Sequence, residues 1–256
     1  EIAHHTLKDN FRQVDPEHTR ILLLEGTDRI LPTYPADLSA SATRDLTNLG
    51  VTVVTGALVT DIQPGRVTMR SGEEEVQIEA QTVLWAAGMQ GSPLGRILAA
   101  AAGATLDRAG RVMVNADLTL PGHPEVFVIG DLAHCADHSG KPLPGVAQVA
   151  MQQGGYVAHL IRARLEGRGL APFHYRDYGS MATIGRAAAV ADFGRFRFSG
   201  WIGWMMWLFV HLIHIVQFQS RVLVLIQWGW NYFTRSRGAR LITGRPPGIP
   251  PLQAAS

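Results

Sequence analysis

A single cysteine, Cys135, occurs among the 256 residues of the sequence. One cysteine excludes an internal disulfide framework and fits a reducing compartment. The first residues, EIAHHTLKDN, lack the basic start, apolar run and small-residue cleavage site of a secretory signal, so we expect no export. Apolar side chains make up 46% of the residues, which is far more than in a disordered protein. This composition predicts a folded chain with one large hydrophobic core or two smaller ones.

Acidic residues are absent from 193–256, a segment that contains seven arginines. The rest of the chain carries 16 basic and 21 acidic residues, although the whole chain has a net charge of +2. The same positive segment holds five of the six tryptophans. These features predict contact with an anionic surface. The high aliphatic content favours lipid head groups over nucleic acid.

The most apolar stretch, residues 201–230, reads WIGWMMWLFVHLIHIVQFQSRVLVLIQWGW. Its first 16 positions would form about 24 Å of helix, which is shorter than the roughly 30 Å hydrocarbon core of a bilayer. Polar residues at 217, 219 and 221 then interrupt the run. Tryptophans at both outer ends and arginines beyond them predict two short helices lying in the membrane interface. A hairpin buried in the protein core remains the alternative.

The first half of the sequence predicts a β-α-β unit followed by a small meander. Residues 20–24 form an aliphatic run that ends in Glu25, as expected for a buried parallel strand. A helix with Asp37 as its cap and Gly50 at its end precedes the strand VTVVTG. The turn signals PG at 64–65 and SG at 71–72 then predict short strands up to residue 86.

The second half alternates aliphatic strands with helices. We predict a strand in VLWAAG (83–88), a helix at 94–102, a strand in PEVFVIG (124–130), a helix at 147–165 and a strand pair within 181–193. The opening EIAHHTLK is typical of a helix interior without a cap, which suggests a truncated chain. The tail from residue 246 is expected to be disordered.

Three features could carry chemistry, although each is weak when taken alone. Glu25 ends a strand, where an acid can bond the ribose hydroxyls of NAD. The strand VFVIG ends at Gly130 and is followed by Asp131. The glycine lets the backbone approach a ligand closely, and the Asp131 carboxylate can accept a hydrogen bond from a ligand hydroxyl. The strand VLWAAG runs into Gly88. Acids at strand ends and glycine turns are also common in proteins that bind no nucleotide.

The order of these pieces resembles the second half of the flavoprotein reductases that have two dinucleotide-binding domains. The motif AQVAMQQG at 147–154, the Trp-rich segment and NYFTRSRGARLITG at 231–244 are similar to the type II NADH:quinone oxidoreductases. The likeness extends over residues 1–244. The Gly-rich loops that this family uses for FAD and NADH are missing, so the chain looks like a C-terminal fragment, and the implied function belongs to the complete protein.

The resemblance implies roles for individual residues. Asp131, after Gly130, would hold FAD. Glu25 would bond the NADH ribose, and the loop at Ala87 and Gly88 would face the nicotinamide nucleotide. Ala147 and Gln148 would lie against the flavin ring, and Gln148 and Gln152 would serve as the quinone-site residues.

An amide pair is chemically reasonable at a quinone site. Gln148 and Gln152 are one helical turn apart and so share a face. A quinone offers carbonyl acceptors, to which an amide can donate without bringing in a charge. The alternative is that both glutamines merely cap or solvate the helix.

The expected fold is α/β, with remnants of two Rossmann-like domains and an amphipathic membrane-associating helical region at the C-terminus. We assign 1–88 to the C-terminal part of the NADH-binding domain, 89–178 to the C-terminal part of the FAD-binding domain and 179–245 to a membrane-anchoring region. The family implies NADH oxidation through FAD by a membrane quinone, without proton pumping, in the respiratory chain. It also implies a homodimer attached peripherally to the cytoplasmic face of the cell membrane, with no nucleic acid as partner.

Rival functions remain open. A sulfide:quinone oxidoreductase would need redox cysteines, and Cys135 has no partner in the sequence. A non-catalytic, membrane-associated module could keep this architecture without turnover. A metal site at His134, Cys135 and His138 lacks a second ligand group at zinc spacing, so we expect no metal. His211 and His214 share a helix face but are better explained as snorkelling or core polar residues than as haem ligands.

Overall fold

The computed structural model describes residues 19–137, 140–214 and 218–234. The described chain forms two compact units. The first comprises its residues up to Thr82 and from Gly179 onwards, and the second is Val83–Tyr178. The helix interior predicted at the first residues and the disordered tail predicted from residue 246 lie outside the described residues.

A β-α-β motif opens the first unit, as the sequence predicts. Strand β1 (Ile21–Glu25) pairs in parallel with β2 (Val51–Thr55), and helix α1 (Ala36–Asn48) connects them. Leu38 and Ala42 are buried on the inner face of α1, because apolar residues four apart lie on one side of a helix.

The predicted capping role of Asp37 is wrong. Pro35 occupies the N-cap position, and Asp37 lies in the first turn of α1. A proline at this point has its φ angle already fixed near the helical value and has no amide hydrogen to satisfy. The Asp37 carboxylate instead accepts a bond from Arg197 Nη1 at 3.4 Å, and its charge suits the positive end of the helix.

The predicted meander follows directly. Strands β3 (Ala57–Gln63), β4 (Arg66–Ser71) and β5 (Glu74–Glu79) form an antiparallel sheet in that order. Gly65 and Gly72 make the two turns with φ angles of +80° and +63°, values that glycine adopts without strain.

A second antiparallel sheet begins the C-terminal part of the first unit. Strands β10 (Ser180–Gly185) and β11 (Ala188–Asp192) are the predicted pair, and the short β12 (Arg197–Ser199) adds a third strand that the sequence did not reveal. Val190 of β11 is fully buried in one cluster with Leu38 and Ala42. This sheet therefore packs on α1.

Two helices, α4 (Gly200–His214) and α5 (Phe218–Thr234), complete the first unit. Trp207 stacks on Trp228 with ring centroids 5.4 Å apart, and Trp204 stacks on Tyr232 at the same distance. The prediction of two helices is confirmed, but the position of the polar break is not, because Gln219 and Arg221 lie within α5. Within the described ranges, no helix combines the length and the apolar character needed to span a bilayer.

The second unit contains the remaining helices and four short strands. In chain order these are α2 (Leu94–Ala102), β6 (Val112–Met113), β7 (Thr119–Leu120), β8 (His123–Phe127), β9 (Ala133–His134) and α3 (Ala147–Leu165). Strand β6 pairs in parallel with β9, and β7 forms a hairpin with β8. A 3₁₀ turn, Gly130–Leu132, precedes β9. The helices α2 and α3 have the predicted bounds.

Two strand predictions in this unit need correction. Residues 83–88 form no strand, and Leu84 and Trp85 are 88% and 62% exposed. No strand in the described part of the chain pairs with this stretch, so its apolar pattern has no sheet to join. The strand predicted at 124–130 ends at Phe127, because it pairs with β7 across the turn at Gly122 instead of continuing to Gly130.

Candidate functional site

The 3₁₀ turn and the start of helix α3 pack against each other. The backbone amide of Gly130 donates to Gln153 Oε1 at 2.6 Å, and Gln153 is only 1% exposed. Gly130 has a φ angle of +68°, and a Cβ there would lie 3.5 Å from the Cβ of Ala150. These contacts fix the backbone just before Asp131, whose side chain remains exposed.

Three separate segments meet at Gly145, two residues before α3. A Cβ on Gly145 would collide with Met89 Cε and would lie 3.5 Å from Asp131 Oδ1. Met89 directly follows Gly88, which has a φ angle of +77°. The structure thus brings the loop at Ala87 and Gly88, the turn at Asp131 and the helix start at Ala147 and Gln148 into one region of the second unit.

The N-terminus of α3 is suited to electron-rich ligand atoms. Its first amides have no partner within the helix, and the N-cap residue Val146 has no polar side chain to bond them. No acidic residue lies in the first turn, so the positive end of the helix dipole is not neutralised from within. Gly145 allows a ligand to come close to this backbone.

Gln152 bonds the backbone of a segment that follows α3. Its Nε2 donates to the carbonyl of Arg176 at 2.8 Å, and its Oε1 accepts from the Arg176 amide at 3.0 Å. Both ends of the Gln152 amide therefore bind the extended stretch that precedes Gly179. Gln148, half-buried, lies one turn closer to the start of α3.

Gln153 is the residue that sequence reasoning missed. It lies on the buried face of α3 with Val149, Val157 and Leu160. A polar residue at the i+4 position of an otherwise apolar helical stripe is the sequence signal that could have revealed it. Such a buried amide is expected to have a hydrogen-bond partner, and the Gly130 amide is that partner.

Glu25 belongs to the other compact unit and ends β1 beside the end of β2. Its Oε1 accepts from both the backbone amide and the hydroxyl of Thr27, at 2.9 and 3.0 Å. This bonding fixes the carboxylate at the C-terminal edge of the parallel pair, which is where nucleotide-binding sheets place their ligands.

The single cysteine is unsuited to redox chemistry. Cys135 is 7% exposed, and burial raises the pKa of its thiol. The reactive thiolate is therefore disfavoured.

The histidines considered as metal or haem ligands lie in separate surroundings. The Nδ1 atoms of His211 and His214 donate to the carbonyls of Trp207 and Val210, one turn earlier in α4. His138 lies outside the described residues. Within the described ranges, no group of three or more histidine, cysteine or acidic residues is placed to hold a metal ion.

The chain belongs to the pyridine nucleotide-disulphide oxidoreductase family, which residues 10–154 match. Residues 178–236 match the NDH2 C-terminal domain. The resemblance to the type II NADH:quinone oxidoreductases, predicted from AQVAMQQG and the Trp-rich segment, is therefore confirmed.

Individual relatives agree with this assignment. The type II NADH:quinone oxidoreductase Ndh of Mycobacterium tuberculosis is 42% identical over 247 residues, which are 95% of this chain and 52% of the relative. NdhA of the same organism is 38% identical over 251 residues, again covering 52% of the relative. The chain spans about half the length of the curated relatives it matches.

A solved structure shares the mixed α/β fold. NDH2 from Plasmodium falciparum in complex with NADH aligns with a TM-score of 0.79, over 91% of this chain and 62% of that chain. Their sequence identity is 17%, so the likeness concerns the fold.

Proposed function

We propose that the complete protein, whatever its length, passes electrons from NADH through FAD to a membrane quinone without pumping protons. The observation that carries this proposal is the convergence of the Gly88 loop, Asp131 and the start of α3 at Gly145, in a chain whose curated relatives are type II NADH:quinone oxidoreductases. Residues 89–178 would supply the C-terminal part of the FAD-binding domain, and residues 1–88 that of the NADH-binding domain.

The residues at Gly145 fit an FAD molecule. The exposed Asp131 carboxylate would accept hydrogen bonds from the ribityl hydroxyls, and Gly130 would let the chain approach them closely. Ala147 and Gln148 would lie against the isoalloxazine ring, where the first amides of α3 favour electron density on the ring carbonyl. Bound FAD would supply the redox chemistry, by accepting a hydride from NADH and giving two electrons to a quinone.

Glu25 would select the nicotinamide nucleotide. Thr27 holds Oε1 of its carboxylate, and Oε2 would be the oxygen that meets the ribose. An acid in this position accepts bonds from the ribose hydroxyls of NAD and repels the additional phosphate of NADP. The loop at Ala87 and Gly88 would border the nicotinamide.

Gln148 and Gln152 would form the quinone end of the site. Gln148, at the start of α3 beside the Asp131 turn, would donate to a quinone carbonyl, whereas the amide of Gln152 bonds the backbone of Arg176 at both ends. Gln152 would then serve by fixing the stretch before Gly179 beside the quinone. This division of roles keeps an uncharged amide at the quinone.

Residues 179–245 would attach the protein to the bilayer surface. The described part of α4 and α5 exposes large apolar side chains, among them Trp201 at 57%, Phe209 at 61%, Ile226 at 62% and Trp230 at 66%. Exposed apolar patches of this kind mark membrane or protein contacts, and the absence of acidic residues after 192 favours anionic lipid. Attachment would be peripheral, at the cytoplasmic face, with two copies pairing through their C-terminal regions.

A sulfide-oxidising alternative is less well supported. The curated relatives are type II NADH:quinone oxidoreductases, and Cys135 is a poor redox residue because burial raises the pKa of its thiol.

Steady-state turnover tests the proposed function. The complete protein should be purified with its bound flavin, and NADH oxidation should be followed with and without a short-chain quinone. We expect oxidation that depends on both the flavin and the quinone, with NADH strongly preferred over NADPH. Flavin-free protein that still oxidised NADH, or flavin-loaded protein that needed sulfide instead of NADH, would contradict the proposal. A protein that bound flavin without any turnover would indicate the non-catalytic module.

A further inference from the structure

A turn at residues 107–111 lies between the two loops of the proposed flavin site. The Asp107 side chain closes this turn, because its Oδ1 accepts from the backbone amides of Ala109 and Arg111 at 2.9 Å each. The backbone amide of Gly110 also donates to the carbonyl of Asp107 at 3.0 Å. One carboxylate oxygen is thus fully used within the turn.

The other carboxylate oxygen connects the turn to the segment that carries Asp131. Asp107 Oδ2 accepts from Arg111 Nε at 2.7 Å and from His134 Nδ1 at 2.8 Å. The carboxylate can only accept, so Nδ1 is the protonated nitrogen of His134. The three side chains are between 13% and 22% exposed. His134 lies in β9, three residues after Asp131.

The same turn also fixes the loop that contains Gly88. The amide of Gly91 donates to the carbonyl of Ala109 at 2.6 Å. A Cβ on Gly91 would lie 2.7 Å from the carbonyl carbon of Gly110, closer than packing allows. A Cβ on Gly95 would lie 2.7 Å from Gly110 O and 3.3 Å from Leu132 Cδ1, so the contact reaches the residue next to Asp131.

We propose that Asp107, Arg111 and His134 are positioning residues that set the separation between the Gly88 loop and the Asp131 turn. The Asp107 carboxylate closes the turn and bonds His134 on the Asp131 side, and the backbone of the same turn holds Gly91 on the Gly88 side. None of the three side chains needs to touch the cofactor. The inference rests on the proposed flavin site. It adds the residues that hold the Gly88 loop and the Asp131 turn at a fixed distance from each other.

The electrostatics favour the ionised form of Asp107. Burial by itself would raise the pKa of Asp107, but hydrogen bonds from His134 and Arg111 outweigh it and hold that pKa well below its usual range. Asp107 therefore stabilises the folded state above the ordinary carboxyl pKa, and this contribution is lost only as the pH falls through the lowered value. The Asp107 carboxylate therefore remains ionised at every pH near neutrality.

Asp107→Asn tests the proposal, with Asp117→Asn as a matched control. Asp117 is a second carboxylate of the same unit, and it likewise closes a turn, at Thr119, and bonds an arginine, Arg164. The protein is the complete holoenzyme, and the measurements are FAD affinity, the visible circular dichroism of the flavin and the melting temperature. His134→Gln, which keeps an N–H donor, is the milder second variant if Asp107→Asn does not fold.

We expect Asp107→Asn to raise the FAD dissociation constant about tenfold or more and to change the flavin dichroism, since supporting residues tune a bound group through those that touch it. Asp117→Asn should lower the melting temperature similarly while changing FAD affinity less than about twofold. His134→Gln should show the same flavin effects as Asp107→Asn in weaker form. Equal flavin effects in the Asp107 and Asp117 variants would overturn the positioning role. A wild-type protein that bound no FAD would instead contradict the proposed function, and this inference with it.

Discussion

At the scale of single residues, three neighbouring glutamines of one helix have different surroundings. Gln153 is buried and accepts a bond from the Gly130 amide. Gln152 bonds the backbone of Arg176, and Gln148 stands at the helix start beside the proposed flavin site. The side-chain type is the same in each case, so position on α3 decides which of them supports the turn, which holds the following stretch and which can face a substrate.

Replacing Gln152 tests its link to the quinone. In the complete enzyme, Gln152→Leu removes both bonds to Arg176, so we expect reoxidation of the reduced flavin by quinone to slow about tenfold or more. Reduction of the flavin by NADH should remain nearly unchanged. Rapid-mixing absorbance measurements of the two half-reactions separate these effects.

A matched control is Met151→Leu, which changes the exposed neighbour in the same turn without removing an amide. It should leave both half-reactions as in the wild type. If Gln152→Leu slowed reduction by NADH as much as reoxidation by quinone, Gln152 would not belong to the quinone end of the site.

At the scale of the elements, the helical hairpin depends on a close approach at its first turn. A Cβ on Gly203 of α4 would collide with the carbonyl oxygen of Ala189 in β11 and would lie 3.3 Å from the carbonyl oxygen of Phe198. Both obstacles are backbone atoms, which cannot move without disturbing the β10–β12 sheet. The glycine therefore lets α4 lie directly on the sheet.

Gly203→Ala should destabilise the folded protein by about 1–3 kcal/mol, the usual cost of overpacking. The measurement is the denaturant midpoint of unfolding in detergent-free buffer. Gly229→Ala in α5 is the control, because a Cβ there meets nothing within 4 Å and alanine is a better helix former by about 1 kcal/mol. The two variants should shift the midpoint in opposite directions, and a stabilising Gly203→Ala would show that α4 can move away from the sheet.

Local patterns were sufficient to predict most of the elements. The β-α-β unit, the meander with its turns at Gly65 and Gly72, and helices α2 and α3 all follow from short-range periodicity and turn chemistry. The strand predicted at 83–88 failed because a strand also needs a partner, and its pairing cannot be read from its own residues. Strand β12 was missed since three residues carry no detectable period.

The candidate site was predictable only in part, for the same reason. Asp131 and the start of α3 were found through motifs. Met89 and Gly145 were not, because their contact joins residues 56 positions apart in the printed sequence and depends on how the loops fold. The Asp107 bond to His134 likewise spans a long separation that no local pattern encodes.

At the scale of the whole molecule, the tryptophans of the C-terminal hairpin have two environments. Trp204, Trp207 and Trp228 are partly covered and stack within the hairpin, whereas Trp201 and Trp230 are 57% and 66% exposed. Aromatic side chains with one apolar and one polar end favour the bilayer interface. The exposed pair is therefore the expected point of contact with lipid.

Lipid quenching of fluorescence tests this contact. In anionic vesicles with brominated acyl chains, replacing Trp201 and Trp230 by Phe should remove most of the quenching seen in the wild type. Replacing Trp207 by Phe should leave the quenched fraction largely intact, and added salt should weaken binding because arginines supply part of the attraction. Quenching that survived loss of Trp201 and Trp230 would place the lipid contact elsewhere.

Charge and apolar surface are unevenly distributed along the chain, and the proposed function uses both. The acid-free C-terminal segment would hold the protein at the membrane, where quinones reside. The segment 83–178 would hold the flavin. The proposed chemistry needs these parts together, because NADH is water-soluble and quinones are dissolved in lipid.

The most direct measurement of the proposed function is an anaerobic two-step mixing experiment on the complete holoenzyme. Mixing with NADH alone should bleach the visible flavin absorbance, and a second mixing with quinone should restore it at a rate that accounts for steady-state turnover. Flavin that NADH failed to bleach, or reduced flavin that quinone failed to reoxidise, would contradict electron transfer from NADH through FAD to quinone.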